Sequence, residues 1–367
     1  MSLLKTIWGL LFRLFPCPTR VGLRRVGDPK GDSPVLVTCN FDLTVKRLIK
    51  ILEQAAVDAW LLVADSKGVN VWCAAGAEEF NTHSVVSSLK TSGVAGLVDH
   101  RVLILPPLGA PGICAAEVQA QTGWTMRWGP VRAEDIPRYL TNCCHRDEGM
   151  KRVTYKWDTR LDTALGSVFP FYLLGVLGFT LFGRGLLVNY LLTGAVTFLL
   201  FYLLCPWIPG RRGLTKVLLL ELLLGGLLIA SELSGRAIGD MSRANIIIAM
   251  VMLFIYSSEL GGLAPNMPSD LDPFLARLGL SAIGNIAFAG TIRAELLNGD
   301  RKLSVDRNKC IGCRSCHEIC PQGVWEINDE DRAALAHPDL CTACRACLVQ
   351  CPSGAITALK TSSKKLR

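Results

Sequence analysis

Charge is scarce in this chain: Asp, Glu, Lys and Arg make up 19% of its 367 residues, against about a quarter in an ordinary soluble domain. No recognisable nucleic-acid motif accompanies the net charge of +8, so the basic excess suits anionic lipid headgroups better than nucleic acid. A small-residue cleavage site is missing from the opening segment MSLLKTIWGLLFRLFPCPTR, and Arg13 interrupts its apolar run; both features argue against a secretory signal. The cysteine total is odd, 15, and eight of those residues crowd between Cys310 and Cys351. That distribution excludes a disulfide-stapled secreted scaffold. Cys73, in GVNVWCAAGAEEF, has no second Cys or His within metal-ligand spacing, so it is not half of a zinc site.

What is present falls into three blocks. Leu4, Ile7, Leu11 and Leu14 lie at helical spacing in residues 1–20, which predicts an amphipathic N-terminal helix at a membrane interface, or an ordinary packed helix. Residues 21–150 alternate β-rich and helical runs: PVLVTCN, TVKRLIKILEQA, DAWLLVAD, THSVVSSLKTSG, RVLILPP, CAAEVQAQTG and WTMRWGP. Strand and helix in turn, on short connections, predict a parallel sheet flanked by helices. Ligands in such folds sit off the carboxyl ends of the strands, and Cys73 follows the strand DAWLLVAD.

Residues 160–265 carry four apolar stretches, about 165–182, 186–207, 214–233 and 244–263. Each is near the length that crosses roughly 30 Å of hydrocarbon. The expectation is a four-helix transmembrane bundle in an inner (cytoplasmic) membrane. Arg211, Arg212 and Lys216 and the basic run from Arg146 to Arg160 then place both chain ends on the cytoplasmic side. Residues 266–300 read as a linker with one further short glycine-rich segment that could be an interfacial helix.

The third block, 301–360, contains CIGCRSCHEICP and, 31 residues on, CTACRACLVQCP. Each run is C-x2-C-x2-C-x3-C-P, the bacterial ferredoxin spacing for two [4Fe–4S] clusters, in which the fourth cysteine of each run serves the other cluster. Cys310, Cys313, Cys316 and Cys351 are thereby assigned to one cluster, and Cys341, Cys344, Cys347 and Cys320 to the second. A pair of zinc sites would instead use separated C-x2-C pairs. The block resembles dicluster ferredoxins, whose α+β domain relays single electrons and needs an external electron donor.

Asn70 is a good helix N-cap, which puts Cys73 in the first turn of a helix where the dipole favours a thiolate. On chemistry alone Cys73 is a nucleophile, a redox thiol or an axial metal ligand, set against a buried structural cysteine. NVWCAAG resembles the cap-helix motif of the corrinoid protein of microbial mercury methylation, a relative of the corrinoid iron–sulfur proteins. The resemblance runs through SPVLVTCN, DAWLLVADSKGVNVWCAAG, HRVLILPPLGAPG and GPVRAEDIP. With the third block, the chain resembles that protein fused to its dicluster ferredoxin partner. Ala77 stands at that family's lysine position, and the chain ends KTSSKKLR without the ferredoxin's terminal cysteine pair.

The resemblance implies a multidomain protein: an α/β Rossmann-like corrinoid-binding domain, the transmembrane bundle and the ferredoxin domain. It implies a cobalamin-type corrinoid with Cys73 as the cobalt ligand and catalytic residue. Asn70, Val71, Trp72, Ala74, Ala75 and Gly76 would line it, with Gly109 and Gly112 of LGAPG approaching closely. It further implies a corrinoid-dependent methyltransferase. The clusters reduce cobalt, a methyltransferase delivers the methyl group from a methyl-tetrahydrofolate-type donor, and a soft acceptor takes it. In the family that acceptor is Hg(II); arsenic, selenium or thiol acceptors are the alternatives, as is a membrane electron-transfer subunit without methyl transfer. His100 lacks the glycine of a D-x-H-x-x-G cobalt-ligating run and reads as structural. Adjacent Cys143 and Cys144 read as either a soft-metal pair or buried thiols.

Overall fold

In the computed structural model, residues 3–12, 15–154, 156–209, 213–234, 239–257, 301–341 and 344–360 are described. The chain divides into two compact units: 1–6 with 15–154 and 298–367, and 7–14 with 155–297. Helix α1 spans Leu3–Leu11. The first unit then opens on β1 (Gly22–Val26), β2 (Val35–Cys39), α2 (Asp42–Gln54) and β3 (Ala59–Ala64). Next come α3 (Val71–Gly76), α4 (Thr82–Thr91), β4 (Val102–Leu105), α5 (Ala115–Thr122), β5 (Thr125–Trp128), α6 (Ile136–Thr141) and α7 (Glu148–Lys151).

The five strands lie in the order β1-β3-β2-β4-β5. β3, β2, β4 and β5 run parallel; β2, β3 and β4, rich in Val, Leu and Ile, are almost wholly buried on both faces, as inner parallel strands require, while the edge strand β5 is half exposed. β1 is antiparallel to β3, with Arg24 opposite Leu61. From β2 the chain passes to β3 on one side and then crosses back to β4 on the other, so the strand order reverses between β2 and β4 and the crevice of this sheet opens at their carboxyl ends. Its core packs Val45, Leu48 and Leu52 of α2 onto Leu61, Val63 and Ile104, closed by Tyr139 and Met150.

The same unit holds the cysteine repeat. β6 (Arg301–Val305) pairs antiparallel with β9 (Ile356–Lys360), and β7 (Trp325–Ile327) with β8 (Ala333–Leu335). Two one-turn helices, α12 (Ser315–Ile319) and α13 (Ala346–Gln350), follow the two C-x2-C halves. Trp325, Ile319, Val324 and Ala346 form the core of this region, and Ala110 of the α/β domain joins it.

The second unit contains α8 (Trp157–Phe182), α9 (Leu187–Leu204), α10 (Gly213–Leu233) and α11 (Asp240–Ser257). Tyr190, Phe201, Tyr202, Val217, Ile248, Met252 and Leu253 form its core. The Tyr190 hydroxyl donates to the Tyr172 carbonyl at 3.0 Å, and Asn189 donates to Asn245 across α9 and α11 at 2.7 Å. Large apolar side chains also point outward, Leu174, Phe182, Leu222 and Leu233 among them.

The expected four-helix transmembrane bundle is not upheld. Among the described residues only the helical run Arg184–Trp207 is long and apolar enough to cross a membrane, by length and composition. The apolar part of α8, Phe169–Phe182, is too short, because Asp158, Arg160 and Asp162 occupy the beginning of that helix. Lys216, Glu221 and Glu232 punctuate α10, and Asp240 and Arg243 open α11. The fold is a mixed α/β domain with a ferredoxin-like C-terminal region and an apolar helical unit. The linker and extra segment at 266–300, and the basic residues Arg211 and Arg212, lie outside the described residues.

Candidate functional site

The site begins with the loop after β3. Asn40, 4% exposed just past β2, accepts from the amides of Ser66 (3.0 Å) and Gly68 (2.8 Å) and from the Ser66 hydroxyl (2.8 Å). Its amide nitrogen donates to Asp65 at 3.0 Å. Gly68 has φ +74°, and a Cβ there would fall 2.5 Å from the Pro18 nitrogen. A short polar side chain and a glycine thus fasten residues 65–70 at the carboxyl edge of the sheet.

That loop delivers Asn70 in extended conformation, and its side chain accepts from the Cys73 amide at 3.2 Å. The N-cap starts α3, as the sequence predicts. Val71, Ala74 and Ala75 face the interior, while Trp72 and Cys73 are half-buried and Gly76 is exposed. The expectation that Ala74 and Ala75 present a surface to a ligand is therefore corrected: both are packed inward. The outward stripe is Trp72, Cys73 and Gly76. A Cβ built on Gly76 meets nothing within 4 Å, so a broad, flat group can approach this face.

Gly109 and Gly112 lie against the back of the same helix. A Cβ on Gly109 would come within 3.2 Å of the Phe80 ring; one on Gly112 would come within 2.2 Å of the Phe80 carbonyl and 3.1 Å of the Ala75 carbonyl. Both glycines let the 107–113 turn seat under α3 and the fully buried Phe80. Lys67 and Glu79 form an ion pair at 2.6 Å that joins the entry and exit of the α3 segment. His100 contacts the Ser33 carbonyl at 3.0 Å and accepts from the Val102 amide, a structural role.

The cysteine repeat forms two cavities. One is ringed by Cys310, Cys313, Cys316 and Cys351, the other by Cys320, Cys341, Cys344 and Cys347. The fourth cysteine of each run lies around the cavity that the other run's first three cysteines line. Among the described residues no three His, Cys, Asp or Glu groups converge on a single ion. Four thiols spread around a cavity suit a cubane that fills the space between them. Burial pushes the Cys316 thiol up to about 12, with Cys313 and Cys310 adding to the effect, and burial likewise raises Cys347. Such thiols ionise when iron replaces their protons.

The two domains of this unit touch at two places. On one side Glu318 of α12 accepts from Arg146 at 2.9 Å and from Lys151 at 2.8 Å, and Arg152 donates to the Cys320 carbonyl at 2.6 Å. On the other side Gln350 of α13 accepts from the Ala115 amide at 3.2 Å. Its amide nitrogen donates to the carbonyls of Ala110 (3.0 Å) and Ile113 (2.6 Å). Arg345 pairs with Glu78 at 3.2 Å. None of these partnerships is legible in the sequence, where the residues lie more than 160 positions apart.

Cys143 and Cys144 follow α6 with φ +50° and +58°. Cys143 is exposed, whereas Cys144 packs on the core beside Tyr139. Burial, then the nearby Cys144, pushes the Tyr139 hydroxyl up to about 12. The turn separates the environments of the two thiols, and the structure gives them no third ligand among the described residues.

Comparison with known proteins locates these domains. Residues 15–140 match the CO dehydrogenase/acetyl-CoA synthase delta subunit family, and residues 309–360 match the 4Fe-4S dicluster domain. The chain is 34% identical over 138 residues to the acetyl-CoA decarbonylase/synthase complex subunit gamma of Methanopyrus kandleri, covering 38% of this chain and 28% of that protein. The same subunit of Methanocaldococcus jannaschii is 29% identical over 149 residues, covering 41% and 29%. That of Archaeoglobus fulgidus is 30% identical over 125 residues, covering 34% and 26%. The chain thus spans less than a third of the length of these relatives. These similarities overturn the assignment to the mercury-methylation corrinoid protein, and with it the expected transfer of methyl to Hg(II). The resembling motifs mark a wider kinship: the α/β domain is similar to acetyl-CoA decarbonylase/synthase subunits, and the C-terminal domain to 4Fe–4S dicluster proteins.

Proposed function

We propose that this chain is a corrinoid-binding methyl-transfer protein with its own two-cluster electron relay, working beside further subunits of an assembly related to acetyl-CoA decarbonylase/synthase. The corrinoid is supported by the similarity of residues 15–140 to that family, and the clusters by the match of residues 309–360. One observation carries the reading: the capped helix that turns Cys73 outward lies in the same compact unit as the two four-thiol cavities.

The group, when bound, supplies a cobalt centre able to accept and release a methyl group; the protein supplies position and electronics. Cys73 would hold the cobalt through its sulfur, its amide held by Asn70 at the start of α3. Trp72 and Gly76 would bound the face of the macrocycle. Asn40 fixes the loop that sets the height of α3 above the sheet edge. The dicluster domain would deliver single electrons to this site. The methyl donor is proposed as a methyl-tetrahydrofolate-type compound, brought by a partner methyltransferase, and the acceptor as a soft nucleophile on a partner subunit.

The test uses labelled methyl iodide as donor and titanium(III) citrate as reductant, on full-length protein loaded with cobalamin. About one light-labile methyl group per chain is expected, since cobalt–carbon bonds break under illumination and alkylated cysteine does not. Label that is wholly stable to light would contradict methyl transfer.

A further inference from the structure

We propose that the cavity ringed by Cys320, Cys341, Cys344 and Cys347 is the electron exit toward Cys73, and that Arg345 and Gln350 are the residues that position it there. The inference rests on the function proposed above and adds to it the direction of the relay.

The internal repeat provides the control. CIGCRSCHEIC and CTACRACLVQC align residue for residue, so Arg314 corresponds to Arg345 and Ile319 to Gln350. Both arginines adopt left-handed φ, +57° and +66°, directly before a one-turn helix. Their partners differ. Arg314 pairs with Asp331 inside the ferredoxin-like region, whereas Arg345 reaches into the α/β domain to Glu78, two residues beyond α3. Glu78 is itself left-handed, φ +63°, so a strained acidic residue at the end of the Cys73 segment meets a strained base at the rim of one cavity.

The second difference points the same way. Ile319 is an apolar core residue, 1% exposed. Its counterpart Gln350 makes three hydrogen bonds to residues 110–115, the turn that lies under Phe80 and α3. Arg345 and Cys347 line the cavity with Cys320, and Arg314 lines the other. The helix that carries Cys347 is thus fastened to the Cys73 segment at both ends, by Arg345 at the rim of its cavity and by Gln350, which precedes Cys351 of the other set. Each transfer moves one electron from the cluster held by Cys320, Cys341, Cys344 and Cys347, which is oxidised, to the group held at Cys73, which is reduced. A low-potential one-electron donor refills the relay through the Cys310 side.

The experiment uses the full chain with both clusters rebuilt. Without corrinoid, the Ala115 amide should exchange at least tenfold faster in Gln350→Ala than in wild type; an unchanged rate overturns the docking role. In a redox titration followed by electron paramagnetic resonance, Arg345→Gln should lower the potential of the cluster that Cys344→Ser abolishes. Arg314→Gln should lower the other. Potentials indifferent to both changes overturn the assignment. After loading with hydroxocobalamin, Arg345→Glu should slow electron delivery to cobalt at least tenfold with cluster content unchanged, and adding Glu78→Arg should restore it. Slowing by Arg314→Glu instead would make the other cavity the exit. Failure of the functional reading shows separately, as absence of bound cobalamin, and leaves the exchange and potential readouts intact.

Discussion

The guanidinium of Arg146, 7% exposed, lies 2.9 Å from the carboxylate of Glu318, 172 residues further along the chain. This pair, extended by Lys151, ties the helix that carries Cys316 to the tail of the α/β domain. Burial lowers the Arg146 pKa against the favourable charge of Glu318, so the guanidinium needs its partner.

Removing that partner should loosen the junction. Among the described residues, Glu318→Ala leaves Arg146 with one weak acceptor, the Gly129 carbonyl at 3.4 Å. A fully buried pair would cost about 3–5 kcal/mol to break; Glu318 is 37% exposed, so about 2 kcal/mol is expected. Thermal melts of the cluster-loaded chain should show the loss, and a melt superimposable on wild type would contradict it.

Acid should weaken the same contact. Burial works to raise the Glu318 pKa, but the hydrogen bond from Lys151 and the charges of Lys151 and Arg146 outweigh it, leaving the carboxyl below its ordinary value. A depressed carboxyl stabilises the fold above its unfolded pKa, about 4.3, and that contribution is lost as pH falls through the lower folded value. The stability difference between wild type and Glu318→Gln should be level above about pH 5 and shrink below it. A difference that stays level into strong acid would sink this account.

Asn40 should matter more than its position after a strand suggests. Asn40→Ala deletes four hydrogen bonds to residues 65–68 and leaves buried amides unpaired, which costs about 2–3 kcal/mol. Urea denaturation should register that loss, and cobalamin affinity should fall with it because α3 is no longer held at its height. Normal affinity in a destabilised Asn40→Ala protein would separate this loop from the site.

Cluster content should follow the crossed ligand sets. Cys351→Ser removes a ligand at the end of the second run, yet the cluster lost should be the one that Cys313→Ser also removes. Either variant should retain about four iron in place of eight. Loss of the Cys344 cluster from Cys351→Ser would refute the crossing.

The four parallel strands and the α3 cap were legible because each rests on a local pattern: an apolar run, and Asn70 ahead of a helix. β1 escaped because GLRRV carries two arginines, a composition that edge strands tolerate and that hides their alternation. The inward turn of Ala74 and Ala75 depends on which face of a six-residue helix meets the sheet, and so few residues set no clear period. Apolar composition alone overcounted the spans, since charges such as Lys216 and Glu221 break the runs that length suggests. The junctions through Glu318, Arg345 and Gln350 are contacts between distant segments, which no local pattern encodes.

The most direct test is cobalt and iron content with an absorption spectrum, on anaerobically purified, cobalamin-reconstituted protein, wild type beside Cys73→Ala. About one cobalt and eight iron per chain, with a corrinoid spectrum altered by the substitution, is the result this account predicts. Iron without specifically bound cobalt, or a corrinoid spectrum indifferent to Cys73, would contradict it.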